Sequence, residues 1–214
     1  KPETGFKSKE DTCFAKGFLI EEHKEYKVIK VFNPWQKADN IEFTYYLTAS
    51  PSGLPDSLLL FPVIKTPVNK VVTLSTTHVG IISALGESGS IAGISGKEFV
   101  RDSIVRRSVE EKKCFDVGYA PNLDFERILA IKPDVVFLYG LEASVLSVAS
   151  RLKEAGIVSV LVSEYLEDHP LGKAEWIKFF AAFYDKDDEG SRIFNTVQKH
   201  YIQLCDSVKS VSHK

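Results

Sequence analysis

The first third of the chain alternates. Apolar residues return at nearly every second position through Phe18 and Ile20, then Tyr26, Val28 and Val31, then Ile41, Phe43, Tyr45 and Leu47. Polar stretches interrupt this pattern at 21–25 and at 50–56, the second carrying Pro51, Gly53 and Pro55. Residues 58–64 close the set with an apolar run broken only by Pro62. Period two bounded by turn-forming residues predicts short antiparallel strands joined as hairpins.

From Val71 the pattern changes. Val71-Val72-Thr73-Leu74 reads as a short buried strand, followed by a helical spacing through Val79, Ile82 and Leu85 to Gly86. Residues 91–94 form a second such run, 134–139 a third and 157–162 a fourth. A helix over 143–155 separates the last two and is stopped by Gly156. Short apolar strands alternating with helices predict a mostly parallel, Rossmann-like α/β sheet covered on both faces.

The remainder is helical. Pro170 suits a first turn, and Trp176, Phe179, Phe180 and Phe183 make that helix strongly apolar. Asp185 is a candidate cap for the next helix, whose first turn holds Asp187, Asp188 and Glu189, favourable against the helix dipole. Its stripe is Ile193, Val197, Tyr201, Leu204 and Val208, one face of a helix of about six turns. The boundaries this predicts are a flexible tail at 1–16, a β-hairpin extension at 17–67, an α/β lobe at 68–184 and a long helix from 185 to 214.

Composition narrows the class without naming it. With 27 basic against 29 acidic residues the chain is nearly balanced, which gives no support for a nucleic-acid binder or an anionic-membrane binder. No apolar run approaches the roughly 18 residues of a membrane span, and residues 1–16 lack the apolar stretch of a signal peptide. The absence of Met suggests a processed mature form or an engineered one. Cys13, Cys114 and Cys205 are widely spaced and odd in number, which favours unpaired thiols over a redox or metal site.

Ligands of parallel α/β sheets bind at the loops leaving the carboxyl ends of the strands. Those loops carry Ser75-Thr76-Thr77-His78, Ser95-Gly96-Lys97-Glu98, Tyr139-Gly140 and Ser163-Glu164-Tyr165, with Asp116-Val117-Gly118-Tyr119-Ala120 between them. This is a polar and aromatic contact surface rather than a catalytic centre. Ser75 and His78 lack a third group to orient the imidazole, and no Gly-x-Ser-x-Gly elbow is present. No Gly-x-x-x-x-Gly-Lys-Ser/Thr phosphate loop occurs. The five His, at 23, 78, 169, 200 and 213, are too scattered for a tight metal site. A small cytoplasmic α/β enzyme using Ser75 and His78 is the alternative from a different class.

Four stretches resemble a known family. They are residues 71–78 leading into Ala84-Leu85-Gly86; Ile91-Ala92-Gly93-Ile94-Ser95; Asp116-Val117-Gly118-Tyr119 continuing through 122–136; and Leu152-Lys153-Glu154-Ala155-Gly156-Ile157. In order and spacing they resemble the substrate-binding proteins of ABC importers for ferric siderophores, haem and cobalamin. Residues 170–176, Pro-Leu-Gly-Lys-Ala-Glu-Trp, are similar to a lipoprotein branch of that family. The resemblance implies two α/β lobes joined by one long helix, a ligand held between them, no catalysis and no cofactor. It also implies an ABC importer permease as partner, a periplasmic location and a membrane link only through a lipid anchor. On this reading the helix from 185 begins the interlobe connection, and the second lobe is absent.

By the same resemblance, Thr76, Thr77, His78, Lys97, Tyr119, Tyr139, Gly140 and Tyr165 would line the N-lobe half of the cleft. Tyr faces and apolar walls suit planar corrins and porphyrins, whereas Lys97 and nearby Arg suit an anionic siderophore. Both features are present, so the ligand is left open among the three. Glu126 falls where family members carry a carboxylate that docks on permease Arg residues. A first-turn acid also favours its own helix, by roughly 0.3–1 kcal/mol.

Overall fold

The computed structural model describes residues 14–119 and 122–211. Cys13, Ala120 and the rest of the 1–13 tail lie outside the described residues. Two sheets form. In the first, β1 (Phe18–Glu22), β2 (Lys27–Phe32) and β3 (Glu42–Thr48) make an antiparallel meander, to which β4 (Val63–Lys65) adds in parallel. The second is fully parallel: β5 (Val71–Thr73), β6 (Ile91–Ile94), β7 (Phe115–Asp116), β8 (Val135–Leu138) and β9 (Ser159–Leu161), in the order β7-β6-β5-β8-β9. The helices are α1 (Thr76–Ala84), α2 (Ser103–Glu110), α3 (Phe125–Ile131), α4 (Val145–Glu154), α5 (Pro170–Phe183) and α6 (Asp187–Val211).

Alternation along the parallel strands assigns each side chain to one of two cores. Val71, Val135, Phe137 and Val160 face a cluster built with Val79 and Ile82 of α1, Val105 of α2 and the aromatic face of α5. Val72, Val136, Leu138 and Leu161 face the other, made with Ile128 and Ile131 of α3 and Val145, Val148 and Leu152 of α4. These β-branched and aromatic strands are buried on both faces, as a covered parallel sheet requires.

The first sheet is fastened to the lobe rather than appended to it. Phe18 packs its ring 4.8 Å from Trp176 and 5.5 Å from Phe179 of α5. The Tyr45 hydroxyl accepts the Leu161 N–H at 3.1 Å, satisfying a donor on the sheet's edge strand β9. Residues 14–17 are tied down by two buried carboxylates. Glu175 Oε2 accepts the N–H groups of Phe14 and Ala15, each at 2.9 Å. Glu167 accepts those of Lys16 and Gly17, at 3.0 and 2.9 Å, and the indole N–H of Trp176 at 3.0 Å.

Three expectations are corrected. The 58–64 run is not a strand: residues 58–60 form a turn that leaves Leu60 86% exposed, and only 63–65 pair. That last strand runs parallel to β3 because the long 49–62 connection carries the chain back before it pairs. A fifth parallel strand, β7, escaped the pattern because it is two residues long and Phe115 is exposed. In α6 the stripe divides. Phe194 is buried and Ile193 and Tyr201 pack on the core, whereas Leu204 and Val208 are exposed. At 25 residues α6 is roughly 37 Å long, against roughly 21 Å for the 14-residue α5 it packs on, so its last turns extend beyond that support. The two helices cross at Gly190, where a Cβ would meet Ala181 Cβ at 2.6 Å.

Candidate functional site

The strand order places the topological switch between β5 and β8. The chain winds outward through β6 and β7, then returns to the other side of β5. At such a switch the loops diverge and leave a crevice at the carboxyl ends of the strands. A cavity of about 410 Å³ opens there. Leu74, Leu138 and Val145 give it apolar walls, while Ser95, Tyr119 and Tyr139 reach it from three different strand ends.

Each loop is shaped by local chemistry. Gly96 adopts φ +73°, and a Cβ there would come within 2.2 Å of the Tyr119 hydroxyl, so the phenol lies directly over a residue that must lack a side chain. The Ser95 hydroxyl donates to the Gly118 carbonyl, joining this loop to the one that carries Tyr119. Tyr119 donates to Glu98 Oε1 at 2.8 Å. That bond, with some desolvation and the charge of Glu98, pushes the phenol up to about 12. Glu98 is held below the usual carboxylate range by its own backbone N–H and by Tyr119. Opposite, Tyr165 donates to the Gly140 carbonyl at 2.7 Å and sets its ring edge-on to Tyr139, centroids 6.4 Å apart. Burial, with the charge of Glu164 next, raises the Tyr165 phenol. Tyr119 and Tyr139 remain 46% and 42% exposed, half-open aromatic faces on an apolar wall.

Of the eight sequence-predicted cleft residues, Tyr119, Tyr139 and Gly140 line this cavity and Tyr165 stands behind them, bonded to Gly140. Thr76, Thr77 and Lys97 are exposed at the same ends of the strands but outside the cavity lining. His78 is corrected: it is fully buried and faces inward, with Nδ1 3.0 Å from Thr73 Oγ1 and Nε2 3.6 Å from Glu164 Oε2. Ser75 caps α1 by accepting the Thr77 N–H at 3.2 Å, so it and His78 serve different partners and make no nucleophile–base pair. Among the described residues no three His, Cys, Asp or Glu side chains are placed to hold a metal ion. Cys114 and Cys205 are free, and burial pushes the Cys114 thiol up to about 12.

Sequence reasoning missed the wall beyond Gly140. Leu141, Glu142, Ser144 and Ser147 line the cavity from the loop and first turns of α4. The strand-end rule that found Tyr139 and Gly140 reaches them when the loop is followed to the helix. It missed also that the first sheet buttresses the site. The Gln36 N–H donates to the Leu141 carbonyl at 3.2 Å, and Trp35 packs in the same core as Leu74 and Leu138.

Glu126 lines a second concavity of about 440 Å³, beside the edge strand β7 and away from the switch. Asp124 caps α3 through the Arg127 N–H at 2.9 Å and pairs with the Arg127 side chain at 3.2 Å. Arg127 also donates to the Asp116 carbonyl at 2.9 Å. These partners occupy Arg127 and leave Glu126 exposed, with no ion pair among the described residues.

Known proteins share this fold. The profile of the periplasmic binding protein family matches residues 71–213. An uncharacterized lipoprotein of Methanocaldococcus jannaschii is 34% identical over 159 residues, covering 70% of this chain and 37% of that protein. Among solved structures, a periplasmic binding protein of Veillonella parvula superposes with a TM-score of 0.57 at 15% identity, over 96% of this chain and 58% of that one. A periplasmic heme binding protein of Pseudomonas aeruginosa gives 0.53 at 17% identity, over 68% and 49%. The chain thus spans well under two thirds of each of these proteins. With the family match covering the whole parallel sheet and α6, the chain belongs to the periplasmic binding protein family.

Proposed function

We propose that this chain is the N-terminal lobe, with the start of the interlobe helix, of an extracytoplasmic solute-binding protein that serves an ABC importer. It captures an iron compound, either a ferric siderophore or haem, or else cobalamin, between two lobes and delivers it to the permease. The observation that carries this is the cavity at the switch point, where half-exposed Tyr119 and Tyr139 stand against apolar walls. Such faces suit a large planar chelate, with few polar anchors needed to fix its orientation. Thr76, Thr77 and Lys97 are the rim groups available to a ligand's carboxylates or catecholates. The lipoprotein name of the Methanocaldococcus relative supports a lipid anchor as the membrane link. The exposed, unpaired carboxylate of Glu126 supports its reading as the permease-docking group.

Tryptophan quenching tests the ligand class. The full-length protein, titrated separately with haem, cobalamin and a catecholate ferric siderophore, is expected to show saturable quenching by one of them. Trp35, packed in the core beneath the cavity, is the nearby reporter. Saturation by none of the three overturns the ligand assignment. In the same protein Glu126→Lys is expected to lower uptake while leaving the quenching curve unchanged; unaltered uptake removes Glu126 from the docking role.

A further inference from the structure

Beneath the cavity floor lies a polar cluster that ligand contact does not use. The imidazole of His78 has no exposed surface, and Glu164 is 5% exposed. Among the described residues neither His78 Nε2 nor Glu164 Oε2 has a hydrogen-bond partner, yet they face one another at 3.6 Å. The other side of the ring fixes the protons. Thr73 donates its hydroxyl to the Ser75 carbonyl at 3.3 Å, so toward His78 it offers a lone pair, and Nδ1 must carry a hydrogen to use it. A neutral ring would then turn the Nε2 lone pair against a carboxylate, two acceptors 3.6 Å apart and too close to admit a water between them. A proton on Nε2 converts that clash into a charge pair.

We infer that His78 and Glu164 form a buried imidazolium–carboxylate pair that positions Tyr139 and Tyr165 as one face of the cleft. Its purpose rests on the reading of that face as ligand-binding, but its geometry does not. The Glu164 carboxyl is set by the same contact: burial pushes it up, but the His78 ring at 3.6 Å, with the N–H groups of Glu164 and Tyr165, holds it below the usual range. The other elements around the ring offer no competing charge. The loop after β8 presents the Tyr139 ring at 6.5 Å and 90°, and α5 presents Phe180 at 5.4 Å. Of the charged groups of α5 and of the turn after β9, Lys173 is engaged with the Tyr165 carbonyl, Lys178 with Glu175, and Glu167 and Glu175 with the N–H groups of 14–17, while Asp168 is exposed to solvent.

The pair closes a circuit through three strand ends. Thr73 ends β5 and holds His78; Glu164 follows β9 and precedes Tyr165; Tyr165 holds the Gly140 carbonyl; and Gly140 adjoins Tyr139, whose ring meets His78. Breaking the pair leaves one buried charge unmatched and opens the circuit, so that the two tyrosine-bearing loops are held to each other by the Tyr165–Gly140 bond without support from beneath.

Nitrogen-detected NMR on the full 214-residue chain tests this directly. At pH 7.5 an ordinary His, with a midpoint of about 6.5, is about 90% neutral. Both ring nitrogens of His78 are expected in the imidazolium position there. Glu164→Gln should turn one of those two nitrogens to the unprotonated position at the same pH. It should also shift or broaden the Tyr139 and Tyr165 ring signals while leaving Tyr26 unmoved, and His78→Gln should disturb the same two rings. One unprotonated ring nitrogen in the wild type at pH 7.5 overturns the pair. Tyrosine signals unmoved in folded variants overturn the positioning role. If neither variant folds, the wild-type ring spectrum at pH 7.5 decides alone. No readout requires ligand, so a protein that passes here and binds none of the three chelates fails only in its proposed function.

Discussion

Two sets of buried carboxylates lie within a dozen residues of one another, and they are treated oppositely. Glu167 and Glu175 are saturated with donors: four backbone N–H groups, the Trp176 indole and the Lys178 ammonium. Glu164 makes an ion contact at 3.6 Å and leaves an oxygen without a hydrogen bond. The saturated pair anchors residues 14–17 against α5 and the turn after β9. The undersaturated one lies directly behind the tyrosines of the cleft. A buried acid that is fully bonded builds scaffold, whereas one left partly unsatisfied holds a geometry whose balance a proton can change.

The contrast is broken most forcefully at its saturated end. Glu175→Ala removes a fully buried charge and leaves the Phe14 and Ala15 N–H groups and the Lys178 ammonium without their acceptor. Loss of one partner from a buried charge pair costs about 3–5 kcal/mol. Urea unfolding should report a loss of that order; a loss below about 1 kcal/mol would show that Glu175 is not the anchor its bonding implies.

What the sequence made legible follows from how each interaction is encoded. Strands β5 and β8 were visible because burial on both faces leaves unbroken apolar runs, as in Val135-Val136-Phe137-Leu138. The direction of β4 was hidden, because alternation specifies which face is buried and not which way the neighbour runs. The run at 58–61 misled because hydrophobicity alone cannot distinguish a buried strand from an exposed turn. For His78 the signal was present: with Val79 and Ile82 it shares the buried face of α1, while Thr76 and Thr77 fall outside it. The burial of Glu164, Glu167 and Glu175 was not legible. Their partners are backbone N–H groups and an imidazole some 86 to 161 positions away, and no local pattern records such pairing.

The undersaturated end is tested with acid, and the expected effect is smaller. Glu164 has a folded-state value held below the ordinary carboxylate value of about 4.3 that the unfolded chain shows. Its contribution to stability is therefore fully present above that unfolded value and is lost as pH falls through the lowered folded one. Glu164→Gln cannot make this transition. The stability difference between wild type and Glu164→Gln should be largest near neutrality and shrink below pH ~4. Parallel unfolding curves for the two proteins from pH ~7 to ~3 would remove Glu164 from acid lability altogether.

The smallest effect lies at the open rim, where the bond between Tyr119 and Glu98 connects two solvent-facing side chains and leaves global stability unchanged when cut. Its readout is the phenol itself. The carboxylate of Glu98 accepts the hydroxyl proton, which favours the protonated phenol and pushes Tyr119 up to about 12. Glu98→Gln removes the charge and weakens the acceptor, so ultraviolet titration should show one tyrosine returning toward 10, with the unfolding midpoint unmoved. Tyr45 and Tyr184 are also raised, but chiefly by burial, so they report on the core and should not follow that change. A Tyr119 that titrates identically with and without Glu98 would mean the rim phenol is free. The orientation of the cleft's outer aromatic face would then rest on Gly96 and Ser95 alone.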